Sequence, residues 1–155
     1  MKIKIANIIL AVILMSCERS IDDNVKRQSP ILVVGTWKLM TDTVVEKGDT
    51  VVTDYTKNVS FIKIINDTHF AFLQHDLNKR KELSAVFVSG GGSYSVSDSL
   101  YTEHLEYCSD RNWEGNDFKF IIQIKNDTLI QTGIEKIESI GVNKINVEKY
   151  VRVKK

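Results

Sequence analysis

The carboxylate Glu103 is the side chain of this 155-residue chain whose surroundings in sequence best suit chemistry. It lies in Tyr101-Thr102-Glu103-His104-Leu105-Glu106-Tyr107, which alternates like a strand with successive side chains on opposite faces. Tyr101, Glu103, Leu105 and Tyr107 then share the more apolar face. A carboxylate on such a face is costly unless it is paired. Two readings follow. With Tyr94, Tyr101 and Tyr107 it lines a pocket and fixes a polar group of a ligand. Alternatively it forms a structural ion pair with Lys119, Arg152 or another base. Phe70 and Phe72, which share a face with Gln74, and Phe118 and Phe120, which share one with Ile122, would wall such a pocket or pack the core.

Other chemistries find little support. His69 and His75 share a face but stand six residues apart, about 20 Å along a strand, so one metal ion cannot bridge them. Gly90-Gly91-Gly92 precedes no helix and is not a phosphate loop. No Gly-x-Ser-x-Gly occurs. No second catalytic group can be named beside Glu103, so neither an enzyme nor a cofactor is expected. Lysine plus arginine number 21 against 20 acids, interspersed without a basic block, which argues against nucleic acid. Trp113, beside Asp110, Arg111 and Asn112 in the polar loop 109–116, either stacks on a sugar or a partner or folds back over the barrel end.

The elements that must position these residues are strands. Turn residues at 47–49, 66–67, 98–99 and 126–127 punctuate β-patterned runs. Asn66-Asp67-Thr68 and Asn126-Asp127-Thr128 repeat one tripeptide, suggesting a meander of antiparallel strands. Residues 83–88 read as a strand that the glycines interrupt, by a hairpin or a bulge, and 134–140 carries a weak helical pattern. Strands at this spacing argue for an all-β antiparallel fold, either a sandwich or an up-and-down barrel of about eight to ten strands, and closure into a barrel would remove exposed edges.

Gly35-Thr36-Trp37 at the start of the first strand, with Arg152 in the last, resembles the lipocalin and wider calycin barrels. Taken with the β pattern, that resemblance makes the up-and-down barrel the expected fold, and it implies that Trp37 plugs the closed end, that Arg152 packs over it and that Gly35 allows the approach. Gly92-Ser93-Tyr94-Ser95-Val96 and the run 101–107 resemble small lipocalin-like lipoproteins of Bacteroidota, a group with no settled activity.

At the N-terminus, Lys2 and Lys4 precede an apolar run at 8–14, too short for a bilayer span and suited to a signal peptide. Leu14-Met15-Ser16-Cys17 resembles a bacterial lipobox, which implies removal of residues 1–16 and diacylation of Cys17. Loss of Lys2 and Lys4 changes the formal charge from +1 to −1. Residues 17–32 then form the lipidated Cys and a polar tether, and 33–155 the barrel domain. With Cys17 lipidated, Cys108 has no partner for a disulfide within the chain. The expected protein is an envelope lipoprotein, anchored by lipid in the outer membrane, that binds a small, partly apolar ligand or a glycan fragment. The alternative is an interaction or inhibitor module with a filled core, facing another envelope protein.

Overall fold

The computed structural model describes residues 32–78 and 85–154. Among the described residues nine strands follow one another: β1 (Gly35–Glu46), β2 (Asp49–Asp54), β3 (Val59–Ile65), β4 (His69–Asp76), β5 (Phe87–Ser97), β6 (Leu100–Cys108), β7 (Asn116–Lys125), β8 (Thr128–Ile137) and β9 (Val142–Arg152). All paired neighbours are antiparallel, and β9 returns to pair with β1 from Trp37↔Arg152 to Val45↔Ile145. The sheet therefore closes into an up-and-down barrel. Its wall has eight sides, because β2 and β3 share one edge of β1. The end of β1 pairs with β2 (Glu46↔Asp49) and its start with β3 (Gly35↔Ile65).

Alternation is cleanest in β7, where Phe118, Phe120 and Ile122 are buried and Asp117, Lys119 and Ile121 are exposed. That is the pattern of a strand with one face on a core and one on water. The two Asn-Asp-Thr turns differ. Asn126 and Asp127 both take left-handed backbone (φ 48° and 59°), the two-residue hairpin geometry. Asn66 instead uses its side chain, accepting from the amides of Thr68 (2.9 Å) and His69 (2.7 Å) across a longer loop.

Two bulges reset the inward faces. Between Leu39 and Thr41 the β1–β9 register slips by one residue. Trp37 and Leu39 face inward before the slip, and Asp42 faces inward after it, opposite Glu148. Between β5 and β6, Gly91 pairs with Tyr107 but Gly92 pairs with Leu105. Tyr101, Glu103 and Leu105 thus point inward, whereas Tyr107 turns out to solvent with 68% of its surface exposed. The three glycines run through the middle of β5 and do not interrupt it. A side chain on Gly92 would strike the His104 carbonyl, so strands at this bulge approach too closely for a Cβ. β8 continues to Ile137, so the segment 134–140 is strand followed by a single 3-10 turn, Glu138–Ile140.

Candidate functional site

One barrel end is sealed. Trp37 is fully buried among Leu39, Ile65, Phe70, Ile122, Leu129 and Tyr150. Its indole nitrogen donates to the Val33 carbonyl at 2.7 Å. The Arg152 guanidinium lies 4.0 Å from the Trp37 ring centre and donates to the carbonyls of Val34 (2.7 Å) and Leu32 (3.0 Å). Gly35 sits at φ 145°, and a Cβ there would collide with Arg152. The structure thus brings Gly35, Trp37 and Arg152 together. Tyr94 also lies towards this end. It packs 5.3 Å from Tyr101, and its hydroxyl donates to the Asn66 carbonyl at 2.7 Å.

Above this floor the interior becomes polar. Lys63 of β3 occupies an inward position between Phe61 and Ile65 and is almost wholly buried. Its ammonium donates to Glu103 Oε1 at 2.8 Å and Gln131 Oε1 at 3.2 Å, and stands 3.8 Å from Glu148 Oε2. It also faces the Tyr150 ring at 5.2 Å. Burial by itself would depress the Lys63 pKa, but Glu103 and Glu148 outweigh it and hold the ammonium charged. Burial pushes Glu148 up to about 7 against the pull of Lys63, with Glu103, Glu135 and Asp42 adding to the rise. Burial likewise raises Asp42 to about 6, opposed by Lys144 and assisted by Glu135.

Towards the other end, Phe61, Phe72, Phe118, Phe120 and Trp113 border an open cavity of about 400 Å³. Phe61 stacks on Phe72 (5.7 Å, 8° between planes), and Trp113 leans on Phe118 at 5.7 Å. Lys144 reaches Glu135 Oε2 at 3.0 Å and lies 5.4 Å from the Trp113 ring centre. Trp113 comes from the 3-10 turn Arg111–Trp113, which Asp110 caps by accepting from the Asn112 amide. The loop therefore brings its aromatic ring onto the cavity rim. Among the described residues, the buried atoms Asp42 Oδ1, Gln131 Nε2 and Asn146 Oδ1 have no hydrogen-bond partner. The hydroxyls of Tyr101 and Tyr150 close no hydrogen bond of standard geometry either, although burial and the nearby Glu103 and Glu148 hold both phenols in the neutral form.

Of the residues singled out from sequence, Phe72, Glu103, Phe118 and Phe120 line this cavity. Tyr101 and Phe70 are buried below it, and Tyr94 belongs to the floor. Tyr107 corrects the expectation: the β6 bulge places it outside the barrel, and Cys108 lines the cavity in its stead. The base facing Glu103 is Lys63, not Lys119 or Arg152. Cys17 and residues 1–31 lie outside the described residues. Sequence reasoning missed Lys63, Gln131, Glu148, Asn146 and Asp42. Lys63 between Phe61 and Ile65 carries a signal, a charge on the apolar side of an alternating strand, whereas Glu148 carries none, because Lys144, Asn146 and Arg152 make its side of β9 the more polar one. Asp42 carries none, because straight alternation from Trp37 places it outside.

Residues 32–155 match the family described as a domain of unknown function, DUF4488. No curated protein matches the chain. Among solved structures, the chain is similar to an uncharacterized protein from Bacteroides eggerthii, with 13% identity and a TM-score of 0.44 over 77% of this chain and 98% of that one. It is also similar to a mutant of the fluorescent protein UnaG, with 11% identity and a TM-score of 0.37 over 79% of this chain and 97% of that one. The barrel itself is read from the strand pairing above.

Proposed function

This chain belongs to the DUF4488 family, and we propose that its barrel binds a small amphipathic molecule while lipid on Cys17 holds the protein at a bacterial cell envelope. One observation carries the binding reading: the core is not filled. The cavity of about 400 Å³ falls within the range of small-molecule sites, about 300–1,000 Å³. Its walls divide by chemistry. Phe61, Phe72, Phe118 and Phe120 offer apolar surface to the body of a ligand. Asp42, Asn146 and Glu148 offer polar atoms to its head. Glu103, held by Lys63, sets the polarity of the floor.

The test uses the soluble Cys17→Ser chain and the neutral fluorophore N-phenylnaphthylamine. Saturable one-to-one uptake is expected, seen as a rise in dye fluorescence. It should be lost in Val88→Trp, which places an indole at the cavity lining. Absence of saturable uptake by a chain with an intact β circular dichroism spectrum would overturn the reading in favour of a module that acts through its surface. The anchor is read from the Leu14–Cys17 run. Cys17→Ala should move the protein from the membrane to the soluble fraction, and its retention on membranes would remove the anchor.

A further inference from the structure

We propose that the cavity selects a cation, an amine or guanidinium head on an apolar body, seated among Asp42, Asn146 and Glu148; this rests on the ligand-binding reading above. Five carboxylates line the cavity, Asp42, Glu103, Asp110, Glu135 and Glu148, against two ammonium groups, Lys63 and Lys144. Each ammonium is committed at short range to one acid: Lys63 to Glu103 at 2.8 Å and Lys144 to Glu135 at 3.0 Å. Glu148 stands 3.8 Å from Lys63 and beside the Tyr150 hydroxyl. Asp42 has no ion pair among the described residues. These two acids are direct cross-strand partners in the β1–β9 ladder. Like charges in that position repel, and burial worsens the repulsion.

The neighbouring amides make this corner of the cavity an acceptor site. Asn146, 5% exposed, donates through Nδ2 to Glu135 at 3.0 Å, which leaves its Oδ1 as a buried acceptor without a donor. Asp42 Oδ1 is in the same condition. Gln131, 1% exposed, gives its oxygen to Lys63 and has only Nε2 spare, a donor for a second polar group of the ligand. The missing partner must therefore bring N–H donors and positive charge. An anion would meet two carboxylates, and a neutral hydroxyl would bring them no counter-charge closer than Lys63 at 3.8 Å. The Phe61, Phe72 and Phe118 rings suit the same cation, since aromatic faces attract positive charge. In the empty barrel a proton serves in place of the cation. Burial holds Glu148 up to about 7 and Asp42 up to about 6. Facing these two are Lys63 from β3, Tyr55 beyond β2, Glu103 from β6, Glu135 from β8, and Lys144 and Tyr150 from β9.

The test compares three ligands of one shape, phenethylamine, phenethyl alcohol and phenylacetate, by calorimetric titration of the Cys17→Ser chain at neutral pH. The amine is expected to bind about ten- to a hundredfold more tightly than the alcohol, as charge-assisted hydrogen bonds predict, with phenylacetate weakest. Repeating the amine titration in buffers of different ionisation enthalpy should show proton release. Asp42→Asn and Glu148→Gln keep shape and remove charge, and each should shrink the amine-to-alcohol ratio about tenfold. A preference for alcohol or phenylacetate, or a ratio untouched by both variants, overturns the cation inference. If N-phenylnaphthylamine still enters, the ligand reading survives that result. If neither dye nor any of the three enters a folded barrel, both fall.

Discussion

Lys63 holds its ammonium 2.8 Å from Glu103 inside the barrel, and the two residues are not equal partners. Lys63 also serves Gln131 and Glu148, whereas Glu103 has Lys63 as its only ion-pair partner among the described residues. Breaking a buried pair by removing one member typically costs about 3–5 kcal/mol, because the other charge is stranded. Lys63→Met strands both Glu103 and Glu148 and should fall in that range. Glu103→Gln leaves Lys63 with Glu148 and should cost about half as much. Replacing both, by Lys63→Met with Glu103→Leu, should recover most of the loss. Urea unfolding measures all three. Equal costs for the single variants, or a double variant as unstable as Lys63→Met alone, would show that the pair does not govern the interior. Glu103 was legible in the sequence as a carboxylate on an apolar face. Its partner was not, because Lys63 lies 40 residues away on a strand that closes against it only in the barrel.

At the scale of elements, two bulges decide which side chains meet the cavity. Period-two counting is reliable within an uninterrupted strand, and it placed Phe118, Phe120, Tyr101 and Glu103 on inward faces. It fails beyond an inserted residue, since every later side chain changes face. That is why Tyr107 leaves the interior and Asp42 enters it. β2 shows a different weakness. All six of its residues are exposed, and it pairs on one edge only, with β1. Strands with few buried contacts open at low cost. Amides of β2 are expected to exchange with deuterium well before those of β8 and β9, which pair on both edges. Protection of β2 equal to that of β9 would mean that its outer edge is covered in solution.

For the whole molecule, the buried acids link stability to pH. Asp42 and Glu148 carry folded-state values of about 6 and about 7, above the ordinary carboxyl range, with burial the largest cause. The folded protein then binds more protons than the unfolded chain between about pH 4.5 and 7, so stability falls as pH rises through that window. Below it both states are protonated and the acids contribute nothing to the slope. The melting temperature of the ligand-free barrel should drop by a few degrees from pH 5 to pH 7.5, roughly the shift that about 1 kcal/mol produces in a domain of this size. Glu148→Gln should flatten the slope, because it removes the group with the highest value. A melting temperature that rises across the window would mean that a fixed cation compensates both acids. Added phenethylamine should reverse the trend, since a bound cation favours the ionised carboxylates.

The sequence by itself determined the all-β class and the meander. Those follow from local alternation and from turn residues that tolerate left-handed backbone, while the sealed end came with the resemblance carried by a Gly-x-Trp and a late Arg. The sequence left open whether the aromatic faces would wall a pocket or pack the core. Only the tertiary structure decided that this core is hollow and charged. Lys63, Glu103, Gln131 and Glu148 come from β3, β6, β8 and β9, and their pairing depends on register set by closure. Asp42 depends on one extra residue in β1, and Trp113 on how a 3-10 turn leans over the rim. Cross-barrel distance and face reversal at a bulge are properties of the closed sheet, and no window of adjacent residues contains them.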